Sequence, residues 1–102
     1  MTEVAFDVPQ GCNLKGAPAL VETACRACGL RVSSRATRAG MPGAVYWLVK
    51  HGLLPGVLEL TLWEAKRRVW ATLPEGQRPE WIGEDLPRLQ AAVEAALRAT
   101  LA

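Results

Sequence analysis

Residues 58–73, LELTLWEAKRRVWATL, contain the pattern that decides the fold. Leucine occupies every second position from 58 to 62, and a second alternating run follows a short polar stretch, Glu64–Arg67. Alternation with a period of two is typical of strands that bury one face, so this stretch predicts a β-hairpin. A one-residue slip would exchange the two faces of each strand, so the apolar pattern selects one register. The predicted inward pairs are Leu58–Leu73, Leu60–Ala71 and Leu62–Val69.

The opposite face of the hairpin combines tryptophan with a cation. The same register places Trp63 beside Arg68 and Thr61 beside Trp70, which predicts a cation–π contact on this face. Indole and guanidinium groups on an open sheet surface are typical of interaction sites. We therefore expect both tryptophans to be exposed in a free monomer and buried in a complex.

The remaining elements follow from the same periodicity rules. Alternation recurs near the amino terminus and after Gly29, whereas residues 44–49 are apolar at every position, which predicts a central strand covered on both faces. Apolar residues at steps of three and four predict two helices. Asp85 is a favourable N-cap with Pro87 in the first turn, and residues 74–83 before it form a polar connector. The predicted elements are strands at 3–8, 30–38, 44–49, 58–63 and 68–73, with helices at 17–28 and from Asp85 onward.

The order of these elements predicts an α+β two-layer sandwich. Its connectivity is β-α-β-β-β-β-α, with a mostly antiparallel sheet and both helices on the leucine face of the hairpin. A chain of 102 residues fits one domain spanning 1–102, with a radius of gyration of about 13 Å.

Composition excludes several classes of protein. Half of the residues are hydrophobic and 22% are charged, which is too apolar for a disordered chain. The sequence has neither an uninterrupted apolar run of membrane-spanning length nor a recognisable signal peptide. Three cysteines are an odd number, which favours a reducing cytoplasm over a disulfide framework. One asparagine and three glutamines are compatible with a thermophilic source.

The cysteines raise a metal hypothesis. Cys25–Gly29 resembles a zinc-ribbon knuckle, but structural zinc takes four ligands and the other candidates, Cys12 and His51, lie in separate predicted loops. Cys25 and Cys28 also share the apolar face of the first helix, which favours core packing over metal binding. Cys12 and His51 form, at most, a weak candidate for a nucleophile–base pair. The sequence contains no phosphate-binding glycine loop, so we expect a non-enzymatic domain without a cofactor.

Four functional hypotheses remain. The leading hypothesis is association with a second copy or another protein through the tryptophan-bearing face. The alternative is binding of single-stranded nucleic acid to the same face, because residues 26–78 hold nine Lys or Arg against three Asp or Glu. A zinc-stabilised adaptor is the third. The fourth is an apolar ligand cavity, because a sheet gripping the last helix resembles a shortened helix-grip fold. The predicted partner-binding residues are Trp47, Trp63, Arg68, Trp70 and Arg35, with Leu53 and Leu54 at the rim.

Overall fold

A computed structural model describes residues 2–73 and 79–101 of the chain. Its elements are β1 (Thr2–Phe6), α1 (Ala17–Ala27), β2 (Arg31–Thr37), β3 (Ala44–Lys50), β4 (Leu58–Trp63), β5 (Arg68–Leu73) and α2 (Glu80–Arg98). The five strands form one sheet in the order β1-β5-β4-β3-β2, and every neighbouring pair is antiparallel. This arrangement confirms the predicted α+β sandwich, and the radius of gyration of 13.0 Å agrees with the prediction.

The β4–β5 hairpin has the register that the alternation predicts. Leu60 lies opposite Ala71 and Leu62 lies opposite Val69, while Trp63 lies opposite Arg68 on the other face. A single 3-10 turn over Glu64–Lys66 joins the strands. The two faces of this hairpin are therefore assigned correctly from the sequence.

Both helices pack on the leucine face of the sheet, which we call the inner face. Residues from α1 and α2 join the inner-face residues of the strands in one buried cluster. Leu60 of β4, Val21 of α1 and Leu89 of α2 are each at most 1% exposed. Burial of apolar area on this scale is the main stabilising contribution in a small domain. The opposite side of the sheet, which we call the outer face, is the surface that the helices leave uncovered.

Strand β3 turns its residues the other way from the prediction. Trp47 lies opposite Leu60, and Val45 and Val49 lie opposite Leu62 and Leu58, so all three side chains belong to the inner face. Trp47 is 0% exposed. The prediction that Trp47 lies on the outer face is therefore wrong. Because residues 44–49 of β3 are apolar at every position, they carry no alternation that could have assigned the faces of the strand.

Helix α2 begins at Glu80, about a turn and a half before the predicted start. Asp85 is therefore inside the helix and is not its N-cap, and Pro87 is also internal. Because Pro87 has no N–H, the helix lacks the hydrogen bond from residue 87 to the carbonyl of Gly83. The additional turn is stabilised by packing, since Trp81 and Ile82 are 5% and 0% exposed. The part of the predicted connector at 74–78 lies outside the described residues.

The cysteine motif lies where core packing requires it. Cys25 and Cys28 are 0% and 9% exposed, at the end of α1. Gly29 follows with a φ of 74°, a left-handed conformation that suits glycine after a helix.

Among the described residues, no helix is long and apolar enough to cross a membrane.

Candidate functional site

Two side chains on the outer face are buried although no helix covers them. Trp70 and Thr61 are 6% and 0% exposed, although neither belongs to the cluster that the helices complete. The prediction that Trp70 is exposed in a free monomer is therefore wrong. Side chains of the sheet and of the β2–β3 connection provide the cover.

Arg38 is the centre of this cover. Its guanidinium pairs with Glu59, lies 4.7 Å from the ring centroid of Tyr46, and places Nη2 3.5 Å from the Thr61 hydroxyl. An arginine stem can shield apolar surface while its head group remains charged, so one side chain covers three neighbours. The buried Nε of Arg38 has no hydrogen-bond partner. Arg38 was not among the predicted site residues, because its position at the end of β2 gives no local indication of these contacts.

Trp70 has a cation stacked on its ring and lies beside a pocket. The guanidinium of Arg68 stacks 4.7 Å from the Trp70 ring. Arg68 and Trp70 share the outer face as predicted, but this contact is made to Trp70 and not to Trp63, the residue opposite Arg68 in the register. The Trp70 indole also borders a pocket of about 220 Å³. The pocket is lined by Glu3, Arg38, Met41, Glu59, Trp70 and Thr72. Both signs of charge therefore meet on this part of the outer face.

Trp63 lies at the edge of the same face and is only half-buried. Its indole nitrogen donates a hydrogen bond of 3.0 Å to the carbonyl of Pro42, and the ammonium of Lys66 lies 5.9 Å from the ring. The connection between β2 and β3 thus reaches across β3 to β4. With Tyr46 and Leu48, which are also half-buried, Trp63 supplies the accessible apolar area of the outer face.

Arg35 is separated from this group. Arg35 lies opposite Trp47 in the β2–β3 ladder, and both of these predicted partner-binding residues lie on the inner side of the sheet. One carboxylate oxygen of Glu22 in α1 accepts hydrogen bonds of 3.0 Å from the Arg35 guanidinium and from the Trp47 indole. Arg35 therefore connects the edge of the sheet to α1, and its side chain is still 51% exposed.

Leu53 and Leu54 are exposed but belong to a different neighbourhood. Leu53 is 100% exposed and Leu54 is 47% exposed, in the loop between β3 and β4. That loop is held by α2, because the Trp81 indole donates a hydrogen bond of 2.9 Å to the carbonyl of Pro55. The structure thus anchors the two leucines to the helix layer and does not bring them together with Trp63 and Trp70.

A buried carboxylate anchors the same loop. Asp85 is 4% exposed, and its Oδ2 lies 2.6 Å from Nδ1 of His51, while the Arg88 guanidinium donates to Oδ1 at 3.1 Å. A carboxylate at Nδ1 fixes the orientation of an imidazole and leaves Nε2 available to solvent or a ligand. The partners are separated by 34 residues, and no local motif indicates their contact.

The candidate zinc ligands are not assembled into a site. Within 2–73 and 79–101, no group of three or more His, Cys, Asp or Glu side chains could hold a metal ion. Cys12 instead accepts a hydrogen bond of 3.4 Å from Arg67 at the β4–β5 turn, beside an open pocket of about 620 Å³. His51 follows β3 at the other end of the sheet. The structure therefore contradicts the suggested pairing of Cys12 with His51.

Cys25 is chemically protected. Burial raises the pKa of its thiol from 9.0 to about 12, with smaller contributions from Cys28 and Glu22. A thiol with this pKa remains protonated at neutral pH and is a poor nucleophile. The observation agrees with the predicted role of Cys25 in the core.

Comparison with known proteins gives no relative for this chain. No family model, curated protein or solved structure matches it. Functional inference therefore rests on the surfaces described above.

Proposed function

We propose that this protein is a non-enzymatic association module that forms a homodimer through its outer face. The observation that carries the proposal is the uncovered sheet surface, on which Tyr46, Leu48 and Trp63 are half-buried. The ion pair between Arg38 and Glu59 lies on the same surface. Partly exposed aromatic residues next to arginine are typical of interface centres. Stacking two such faces would produce a four-layer particle with the helices outside.

The dimensions of the molecule are compatible with that assembly. The extents are 39 × 30 × 20 Å, and a two-layer sandwich has its thin axis across the layers. The broad faces therefore have room for the roughly 800 Å² per partner that a stable interface buries. Glu3 and Glu59 share the face with Arg38 and Arg68, so a two-fold arrangement can bring opposite charges together.

Single-stranded nucleic acid has less support as the occupant. Cations already lie on the rings of Tyr46, Trp63 and Trp70, which leaves less ring surface for base stacking. Glu59 also neutralises Arg38, which a phosphate backbone would otherwise attract. If nucleic acid were the occupant of the outer face, affinity for an oligonucleotide would fall steeply with salt, and Arg68→Ala would reduce that slope.

The proposal places the protein in the cytoplasm. Support comes from the three cysteines, which are all free and buried. Free thiols persist in reducing compartments.

Sedimentation equilibrium of a matched pair of variants tests the proposal. Ala36 and Thr37 are adjacent and exposed in β2, but Ala36 lies opposite Tyr46 on the outer face and Thr37 lies opposite Val45 on the inner side. We expect the parent and Thr37→Arg to dimerise alike, and Ala36→Arg to weaken dimerisation at least about tenfold, because it buries a bulky like charge. Equal behaviour of the two variants, or a monomeric parent at every concentration, would contradict the proposal.

A further inference from the structure

We propose that the free edge of β2 binds an acidic extended peptide segment of another protein, which adds to the sheet as a sixth strand. This site is separate from the outer face and does not depend on it. Strand β2 is last in the sheet order, with β3 as its single neighbour. Its residues are exposed except Val32, which is half-buried. An exposed edge with this geometry can template another strand.

The hydrogen-bonding groups that would hold such a strand can be assigned. The N–H of Arg38 donates to the carbonyl of Ala44, so this pair is hydrogen-bonded within the β2–β3 ladder. Main-chain groups in an antiparallel ladder alternate between facing the partner strand and facing away. The N–H and carbonyl groups of Arg35 and Thr37 therefore point away from β3, toward the open edge. Two residues of a new strand can pair with them.

Charge selects the kind of strand. Residues 22–50 hold five cationic side chains and a single carboxylate, Glu22, which already accepts from Arg35 and Trp47. Arg31 lies opposite Lys50, which concentrates positive charge at one end of β2. Within the described residues, no ion pair joins Arg31 or Lys50 to a carboxylate. Of the five cations, Arg35 is paired with Glu22 and Arg38 with Glu59, so Arg31 and Lys50 are the cations beside β2 that attract an acidic strand; the fifth, Arg26, lies in α1.

The same cations exclude the most obvious competitor. A second copy of β2 would bring another Arg31 and Arg35 to the edge, and like charges across neighbouring strands are destabilising. The β-bulge between Val32 and Ser34 interrupts the edge further. Carboxylate side chains on an incoming strand would reverse the electrostatic contribution from repulsion to attraction. The edge of β2 therefore disfavours pairing with a second copy of β2 and favours an acidic segment.

The opposite edge of the sheet makes the assignment specific. Strand β1 is also an edge strand, but it carries Glu3 and is followed by Asp7, whose N–H is taken by Glu94 of α2. An acidic peptide would be repelled there. The expected binding site is thus the segment Ser34–Thr37 alone.

Two synthetic peptides test this inference on the full chain. Both have seven residues, the length of β2, with valine at odd positions and either glutamate or lysine at even positions. We expect the glutamate peptide to shift the amide resonances of Ser34–Thr37 and to slow hydrogen exchange at Arg35 and Thr37. The lysine peptide should bind at least about tenfold more weakly. Equal binding of the two peptides, absence of binding, or resonance shifts confined to another surface would overturn the proposal.

Two variants separate the contributions of charge and main chain. Arg31→Glu should weaken the glutamate peptide about tenfold, whereas the control Lys15→Glu, with the same charge change on an exposed loop residue, should not. Thr37→Pro removes a donor that faces away from β3, so circular dichroism should remain unchanged while peptide binding is lost. Should Thr37→Pro unfold the chain, the assignment of its N–H to the open edge is wrong; the Arg31→Glu comparison still tests the charge contribution.

One further outcome would show that a second copy of this chain occupies the β2 edge. If Arg35 and Thr37 amides are protected without peptide, and protection rises with protein concentration, another molecule of this chain occupies the edge. An oligonucleotide that protects the same amides where the glutamate peptide does not would likewise contradict the proposal.

Discussion

The two faces of the sheet bury their side chains by different means. On the inner face, Trp47 is covered by helices and apolar neighbours, and its indole hydrogen bond goes to Glu22. On the outer face, Trp70 has no helix over it, and the guanidinium of Arg68 is stacked on its ring. Low side-chain exposure therefore has two different structural causes in this protein. A cover of leucine and helix is permanent, whereas a cover of long charged side chains can be displaced by a partner.

The largest expected effect contrasts one tryptophan from each face. Trp47→Ala should lower the free energy of unfolding by about 3–5 kcal/mol, because it leaves a cavity in the helix-covered core. Trp63→Ala should lower it by about 1 kcal/mol or less, since Trp63 is half-buried at the edge of the outer face. Urea denaturation of the two variants measures both values. Similar losses would mean that the two faces contribute equally to folding.

The next effect concerns the carboxylate that the helix layer buries. Replacing both His51 and Arg88 with alanine leaves Asp85 without these partners, which should reduce stability by about 1–3 kcal/mol. Asp85→Asn keeps the volume and removes the charge, so we expect a smaller loss. Thermal denaturation monitored by circular dichroism compares the variants. A larger loss for Asp85→Asn than for the double variant would show that the partners are not what stabilises the buried group.

The last effect, the pH dependence of the inner face, is absent at neutral pH and develops only above pH 9. The folded chain keeps the Cys25 thiol protonated up to a pKa of about 12, above its ordinary value of 9.0. Unfolding releases that proton at high pH, so stability falls as pH rises from 9 toward 12, by at most about 1.4 kcal/mol per pH unit. Cys25→Ala should remove this part of the slope, and Cys12→Ala serves as the control. Identical slopes for the parent and Cys25→Ala between pH 9 and 11 would contradict the assignment.

The accuracy of the sequence predictions differed between strands for a physical reason. The β4–β5 register was predicted correctly because Leu60 and Thr61 alternate in polarity, so only one pairing buries all the leucines. Strand β3 has apolar residues on both faces, with Trp47 on the inner face and Leu48 on the outer face. Its orientation therefore depends on a neighbouring strand, and Trp47 was placed on the wrong side. Alternation predicts a face only where the two faces differ in polarity.

Other features were beyond local patterns. The start of α2 was missed because Asp85, two residues before Pro87, has the composition of a helix start. Packing of Trp81 and Ile82 extends the helix toward its amino terminus. The contacts of Arg38 with Tyr46 of β3 and Glu59 of β4 have no local sequence signal. Such long-range contacts are set by the assembled sheet. The predicted thermophilic source and the identity of any partner stay predictions.

Small-angle X-ray scattering over a wide concentration range tests the central claim that the outer face mediates self-association. The isolated chain has a radius of gyration of 13.0 Å. Sheets that stack face to face lie about 10 Å apart, which places the two centres about 20 Å apart and predicts a dimer with a radius of gyration of about 16 Å. The account predicts this compact particle for the parent and for Thr37→Arg, and its loss in Ala36→Arg. A value near 13 Å at all concentrations, or an elongated particle of about 20 Å formed by edge-to-edge pairing, would contradict it.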